Sequence, residues 1–322
     1  MKGDGIRALR AAAMPAEIVE DARIVRLSLG ARRGGDPWRI QVARPACPPP
    51  PEGYPALYLL DGDATFPAAW RALAGRPGAC LALVAVGYPG GRRIDIARRY
   101  YDLTPPTPAE YLRSRDAGLR TGGREAFLDF LAGPLRAEAS RILPLDPNRA
   151  ALFGHSLGGL FALHALMARP AQFQSYAAAD PSIWWDGHSI LQEADAFLGG
   201  IAAAGGALAR PIRLHVATSA SPPPVACGCT RYAAMGGPSP GTPSQDEAID
   251  GPMPAGLTPD GPPQGSPAFG LARALARVAG FEVLYKHHAG ESHGSLIEPA
   301  STDAALFACG LAPEGARRLP AG

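Results

Sequence analysis

Arg149-Ala150-Ala151-Leu152-Phe153-Gly154-His155-Ser156-Leu157-Gly158-Gly159-Leu160 is the stretch that decides how this chain is read. A short apolar run enters Gly154, and a longer, helix-like apolar run over 160–167 leaves Gly159. Between them lies G-x-S-x-G, with small residues where a tight strand-to-helix turn leaves no room for side chains. Such a turn lifts the Ser156 hydroxyl off the end of a strand and aims the N–H of Leu157 at a developing oxyanion.

The bare pattern occurs three times, around Ser156, Ser239 and Ser292. Ser239 lies in a proline-rich segment with no strand before it and no helix after it. Ser292 follows the strand-like run 281–287, but no histidine lies beyond His293 to serve it in the order Ser, acid, His of α/β-hydrolases. Ser156 alone has the strand, the turn, the helix and later histidines.

Around this centre the pattern predicts an α/β fold of the α/β-hydrolase kind: a mostly parallel central sheet with helices on both faces. Segments 22–29 and 38–42 alternate apolar and polar residues and read as an antiparallel opening pair. Segments 54–60 and 81–86 are near-continuous apolar runs, as expected of strands buried on both faces. Further strands are expected at 151–153, 175–179, 212–217 and 281–285, and helices at 66–74, 123–141, 271–278 and 301–309. We read 1–322 as a single domain interrupted by a Pro/Gly-rich, disordered or loosely packed insertion at about 219–267.

Bulk properties exclude more than they suggest. With 31 Lys and Arg against 29 Asp and Glu, the net charge of +2 points to neither nucleic acid nor an anionic membrane. Residues 1–10 are polar, and no run approaches the ~20 apolar residues that span a bilayer, so a soluble cytoplasmic protein is expected. The five cysteines (47, 80, 227, 229 and 309) are odd in number and scattered, which does not suggest a disulfide framework. Cys227 and Cys229 have no second pair at ligand spacing, so no metal and no cofactor are expected.

Serine needs a general base. Of seven histidines, His293 is the expected base: it lies in a glycine-flanked loop after the last long strand, with His288 as the alternative. The second oxyanion donor is expected from Leu60-Asp61-Gly62-Asp63-Ala64, through the N–H of Gly62 or Asp63, with the Asp63 carboxylate turned aside.

At these residues the chain resembles the esterase D-like branch of the α/β-hydrolases, and within it the esterases that open trilactone catecholate siderophores. The likeness is carried by YPALYLLDGDATF (54–66), AVGYP (85–89), RRYYDLTP (98–105), GGREAFLDFL (122–131), the elbow, DPSIWW (180–185) and GESHGS (290–295). It implies hydrolysis of a small-molecule ester, a ferric siderophore, with intracellular release of iron and with Ser156 and His293 catalytic. Anionic, planar-ringed substrates of that kind suit arginines and aromatic faces, so Arg98, Arg99, Trp184 and Trp185 are expected to bind substrate. Relatives carry serine where this chain has Asp180, and no acid follows the strand at 212–217. We therefore expect a Ser156–His293 dyad oriented by backbone carbonyls or water, with Asp180 the one serious candidate acid and Asp246 and Glu247 poor ones. The competing readings are a general carboxylesterase or thioesterase of the S-formylglutathione hydrolase kind, and a non-catalytic siderophore-binding protein, which the intact Ser156 and His293 disfavour.

Overall fold

The computed structural model describes residues 15–30, 36–112, 116, 118–221 and 266–321. Its strands form one sheet of nine. Strands β1 (Ile24–Leu29) and β2 (Trp38–Ala43) pair antiparallel, and β2 then pairs antiparallel with β4 (Ala82–Gly87). From β4 the sheet runs parallel through β3 (Tyr54–Leu60), β5 (Leu145–His155), β6 (Ser175–Ala179), β7 (Ala207–Ser221) and β8 (Ala279–Ser292). The short β9 (Arg317–Arg318) closes the far edge antiparallel.

Alternation along the central strands divides the core. Tyr58 and Leu60 of β3 face one cluster, while Leu57 and Leu59 face the other. The second cluster is covered by α1 (Gly62–Ala74) and α8 (Ile297–Ala308), through Phe66, Trp70, Ala304 and Phe307. The first and larger cluster lies under α3 (Arg124–Phe130), α4 (Arg136–Ile142), α5 (Leu157–Ala168), α6 (Ser189–Ala203) and α7 (Pro267–Ala276). Helix α5 is apolar on every side but for His164, and every residue but its last is buried, as befits a helix walled in by sheet and neighbours.

Three features depart from the sequence expectation. The helix expected at 123–141 is broken into α3 and α4 by a π-turn at Leu131–Leu135, which contains Pro134; proline has no N–H for the regular ladder. Helix α2 (Ile96–Leu103) was not among the expected helices, nor was α6. Asp95 caps α2 by accepting the Arg98 N–H at 3.0 Å. The expectation of no disulfide is corrected: Cys47 and Cys80 are bonded, tying the proline-rich connector before β3 to the segment before β4. Most of the expected insertion (222–265), with Cys227, Cys229, Ser239, Asp246 and Glu247, lies outside the described residues. Among the described residues no helix is long and apolar enough to cross a membrane.

Candidate active site

The parallel register brings three carboxyl ends together. His155 of β5 is level with Ala179 of β6, and Ala179 is level with Ala217 of β7. Ser156 and Asp180 therefore leave the sheet beside the pair Thr218–Ser219 of β7, the place where open parallel sheets collect ligands.

Ser156 takes φ 60° and ψ −115°, a conformation costly for a side chain and held by the turn around it. Its N–H donates to Ala179 O at 2.9 Å. A Cβ on Gly154 would stand 2.2 Å from Gly158 O, so that position requires glycine, and one on Gly159 would be tight at 3.0 Å from Ala179 O. Leu157 is the first residue of α5, so its N–H has no acceptor within the helix.

The chain of contacts from Ser156 is continuous. His293 Nε2 lies 3.0 Å from Ser156 Oγ. His293 Nδ1 donates to Asp180 Oδ2 at 3.1 Å. Asp180, only 2% exposed, also accepts the Ser219 N–H at 2.8 Å on Oδ1 and the Ser219 hydroxyl at 2.5 Å on Oδ2. The expectation that carbonyls or water orient the imidazole is thus corrected, because a carboxylate held by two donors stands there. Its backbone takes φ 38°, which aims it across the ends of β5 and β7. His288 is elsewhere, 3.0 Å from Asp303 Oδ2. Ser156 and His293 are half-buried.

Contacts of two residues escaped the sequence reading. Ser182 Oγ lies 3.2 Å from Ser156 Oγ, and its N–H donates to Ser156 O at 3.1 Å. His155 Nε2 lies 2.8 Å from the carbonyl of His293. The DPSIWW stretch and the elbow contained both residues, but nothing local marked them.

The loop before α1 adjoins the elbow: Asp61 Oδ2 is 3.5 Å from where a Gly158 Cβ would be. Asp61 adopts φ 49°, and Gly62 and Asp63 open α1 with N–H groups in its first turn. The buried Asp63 carboxylate is turned to Arg39. Burial raises its pKa, and the Arg39 charge opposes this.

Of the two arginines expected to bind substrate, Arg99 is turned inward. Arg99 is buried and grips both oxygens of Asp61 at 3.1 and 2.9 Å, and it donates to His155 O at 3.3 Å. It joins the α1 loop to the elbow. Arg98 is engaged with the carbonyls of Asp36 and Pro37 at 3.1 and 3.4 Å and lies 3.9 Å from Asp102. Trp185 is a core residue whose Nε1–H donates to Thr107 Oγ1 at 2.8 Å, whereas Trp184 is half-buried. His155, Asp180 and His293 present ligand atoms within 4.8 Å of one another, a donor set of metal-binding type.

Sheet order, elbow and the Ser–Asp–His chain order together define an α/β-hydrolase. The family model described as "Putative esterase" matches residues 32–223, more than half of the chain, and the chain belongs to that esterase family. It is 42% identical over 175 residues to the siderophore triacetylfusarinine C esterase of Aspergillus fumigatus, covering 51% of this chain and 58% of that protein. It is 37% identical over 180 residues to the ferri-bacillibactin esterase BesA of Bacillus subtilis, covering 53% and 62%. These alignments span less than two thirds of either relative. Among solved structures, the siderophore hydrolase EstA from Aspergillus nidulans superposes with a TM-score of 0.64 at 26% identity, over 89% of this chain and 94% of that one. The BES protein from Bacillus cereus gives 0.68 over 91% and 97%, at 22% identity a likeness of fold alone.

Proposed function

We propose that the protein is a serine esterase that hydrolyses the ester bonds of a siderophore, of the trilactone catecholate kind, and so frees its iron. The observation that carries this reading is the unbroken hydrogen-bonded chain Ser156–His293–Asp180, with Ser156 on a strained elbow, in a chain whose relatives are named as siderophore esterases. In this reading Ser156 Oγ attacks the ester carbonyl while His293 Nε2 takes its proton. The N–H of Leu157, with that of Gly62 or Asp63, holds the oxyanion. The tetrahedral intermediate collapses, and His293 returns the proton to the departing alkoxide. Water, deprotonated by His293, then releases the acid from Ser156. Asp180 keeps the Nδ1–H tautomer and stabilises the transient imidazolium.

Hydrolysis of enterobactin, ferri-bacillibactin and triacetylfusarinine C, followed by mass spectrometry beside p-nitrophenyl acetate, tests the substrate. A strong preference in kcat/KM for a siderophore is expected; equal turnover of the small ester makes the protein a general carboxylesterase. Ser156→Ala should lower activity about 10³-fold or more and abolish labelling by a fluorophosphonate. A folded Ser156→Ala protein with near-native hydrolysis ends the serine reading.

A further inference from the structure

We propose that His155 is the positioning residue of the catalytic loop: its side chain clamps the main chain of His293 and fixes where that imidazole stands over Ser156. The inference deepens the esterase reading and rests on it. His155 is the last residue of β5, immediately before the nucleophile, and its Nε2 lies 2.8 Å from His293 O. A carbonyl only accepts, so Nε2 carries the proton. Burial holds the His155 pKa well below the ordinary histidine range, and the nearby His293 and Arg99 act in the same direction. The ring is therefore neutral, and its one N–H is the one given to the carbonyl.

The loop needs such an anchor. It leaves β8 through exposed Ser292, Gly294 and Ser295 before Leu296 enters the core, and the Ser292–Ser295 bonds beside His293 tie that stretch only to itself. Among the described residues, three hydrogen bonds hold residue 293 to the body of the protein: Ser156 and Asp180 on the ring, and His155 on the main chain. The bond to Ser156 is broken and remade in each catalytic cycle. The bond to Asp180 fixes the tautomer but leaves the ring able to swing with its backbone. The clamp from His155 is the contact that does not change with the chemistry. Its own base is firm: His155 is 5% exposed, registered against Ala179, and its carbonyl accepts from Arg99 at 3.3 Å. The two imidazoles also pack with centroids 4.6 Å apart. Neutrality matters there, because a cation at that distance would oppose the imidazolium that forms on His293.

The test compares His155→Gln, His155→Asn and His155→Leu. Glutamine places an N–H near the position of Nε2; asparagine is polar but too short; leucine fills space without donating. A displacement of about 1 Å in a reacting group can cost on the order of 10²-fold in rate. We expect the Asn and Leu variants to lose roughly 10- to 100-fold in kcat and in the rate of fluorophosphonate labelling of Ser156, with KM within about threefold. Glutamine should restore kcat to within about fivefold of wild type. Full activity in the folded Leu variant overturns the inference. So does an equal loss in all three variants accompanied by equal falls in melting temperature, which marks a packing role. A wild-type protein that does not label at Ser156 sinks the esterase reading and the inference together, whereas a labelled wild type with indifferent variants sinks the inference alone.

Discussion

Replacing Asp180 by asparagine changes one oxygen to an amide group and little else in shape. The carboxylate receives three donors: the Ser219 N–H, the Ser219 hydroxyl and the His293 Nδ1–H. An amide has a single oxygen. If that oxygen keeps the place of Oδ2, the new NH₂ faces the Ser219 N–H across 2.8 Å, donor against donor, in a site 2% exposed. If the amide flips, the NH₂ faces His293 and favours the tautomer with the proton on Nε2, which cannot take a proton from Ser156. The first arrangement leaves a buried donor unpaired, at about 1–3 kcal/mol. The second disables the base, and the same change in a Ser-His-Asp triad costs about 10⁴ in kcat. Both arrangements also remove the anion that stabilises the imidazolium. We expect Asp180→Asn to lower kcat by about three to four orders of magnitude, or ~4–5.5 kcal/mol, with KM changed less than about threefold. Initial rates on one ester, with thermal melts as the check of folding, measure this. A folded variant within tenfold of wild type would refute the triad and return the site to a Ser–His dyad.

Other outcomes follow from the groups around the site. Arg99→Met leaves the Asp61 carboxylate buried without its partner and should destabilise the fold by about 3–5 kcal/mol in urea titration; a loss below 1 kcal/mol contradicts the clamp. Reducing the Cys47–Cys80 bond, which closes a sequence separation of 33, should cost about 3–4 kcal/mol of stability on chain-entropy grounds; an unchanged melt in reductant refutes this. Burial raises the Asp102 pKa to about 6, so the folded state holds its proton where the unfolded chain has lost it. That stabilisation is complete below the unfolded value of 3.8 and is lost as pH rises through 6, leaving a cost of about 3 kcal/mol at pH 8. Asp102→Asn, which keeps an acceptor for Trp38 Nε1–H, should raise stability at pH 8 and flatten this dependence; lower stability at pH 8 counts against it.

The elbow was legible because everything it needs is consecutive in the chain. Gly154, Ser156 and Gly159 are fixed by one turn, and the apolar runs on either side declare strand and helix. The central strands were legible for a similar reason, since burial on both faces leaves an uninterrupted apolar run such as YPALYLL. Arg98 and Arg99 show the limit of this reading. A run of arginines near a site looks like a charged rim, yet Arg99 is buried because Asp61, 38 residues earlier, supplies its counter-charge. Composition records the two charges but not their meeting. Helix α2 was hidden by the same polar residues, whose partners lie in other elements.

The acid was the least legible part, for a topological reason. A carboxylate after β6 meets a histidine in the loop after β8 only because β6 lies between β5 and β7 in the sheet. That order places residue 180 between the nucleophile at 156 and the anchor at 219, and lets the loop at 293 reach both. No local pattern encodes such an adjacency. What the chain does encode locally is the means of holding the group: a left-handed Asp180 backbone, followed by Pro181, and a serine at 219 offering both N–H and hydroxyl. The active-site histidine then stands between two unlike neighbours, an anion on its Nδ1 and a neutral imidazole on its main chain. The anion favours the charge that the histidine must acquire, and the neutral ring holds its position without opposing that charge. Reversing either property, by an amide at 180 or a cation at 155, removes a different part of the same function, and kcat should fall in both cases while KM stays near its native value.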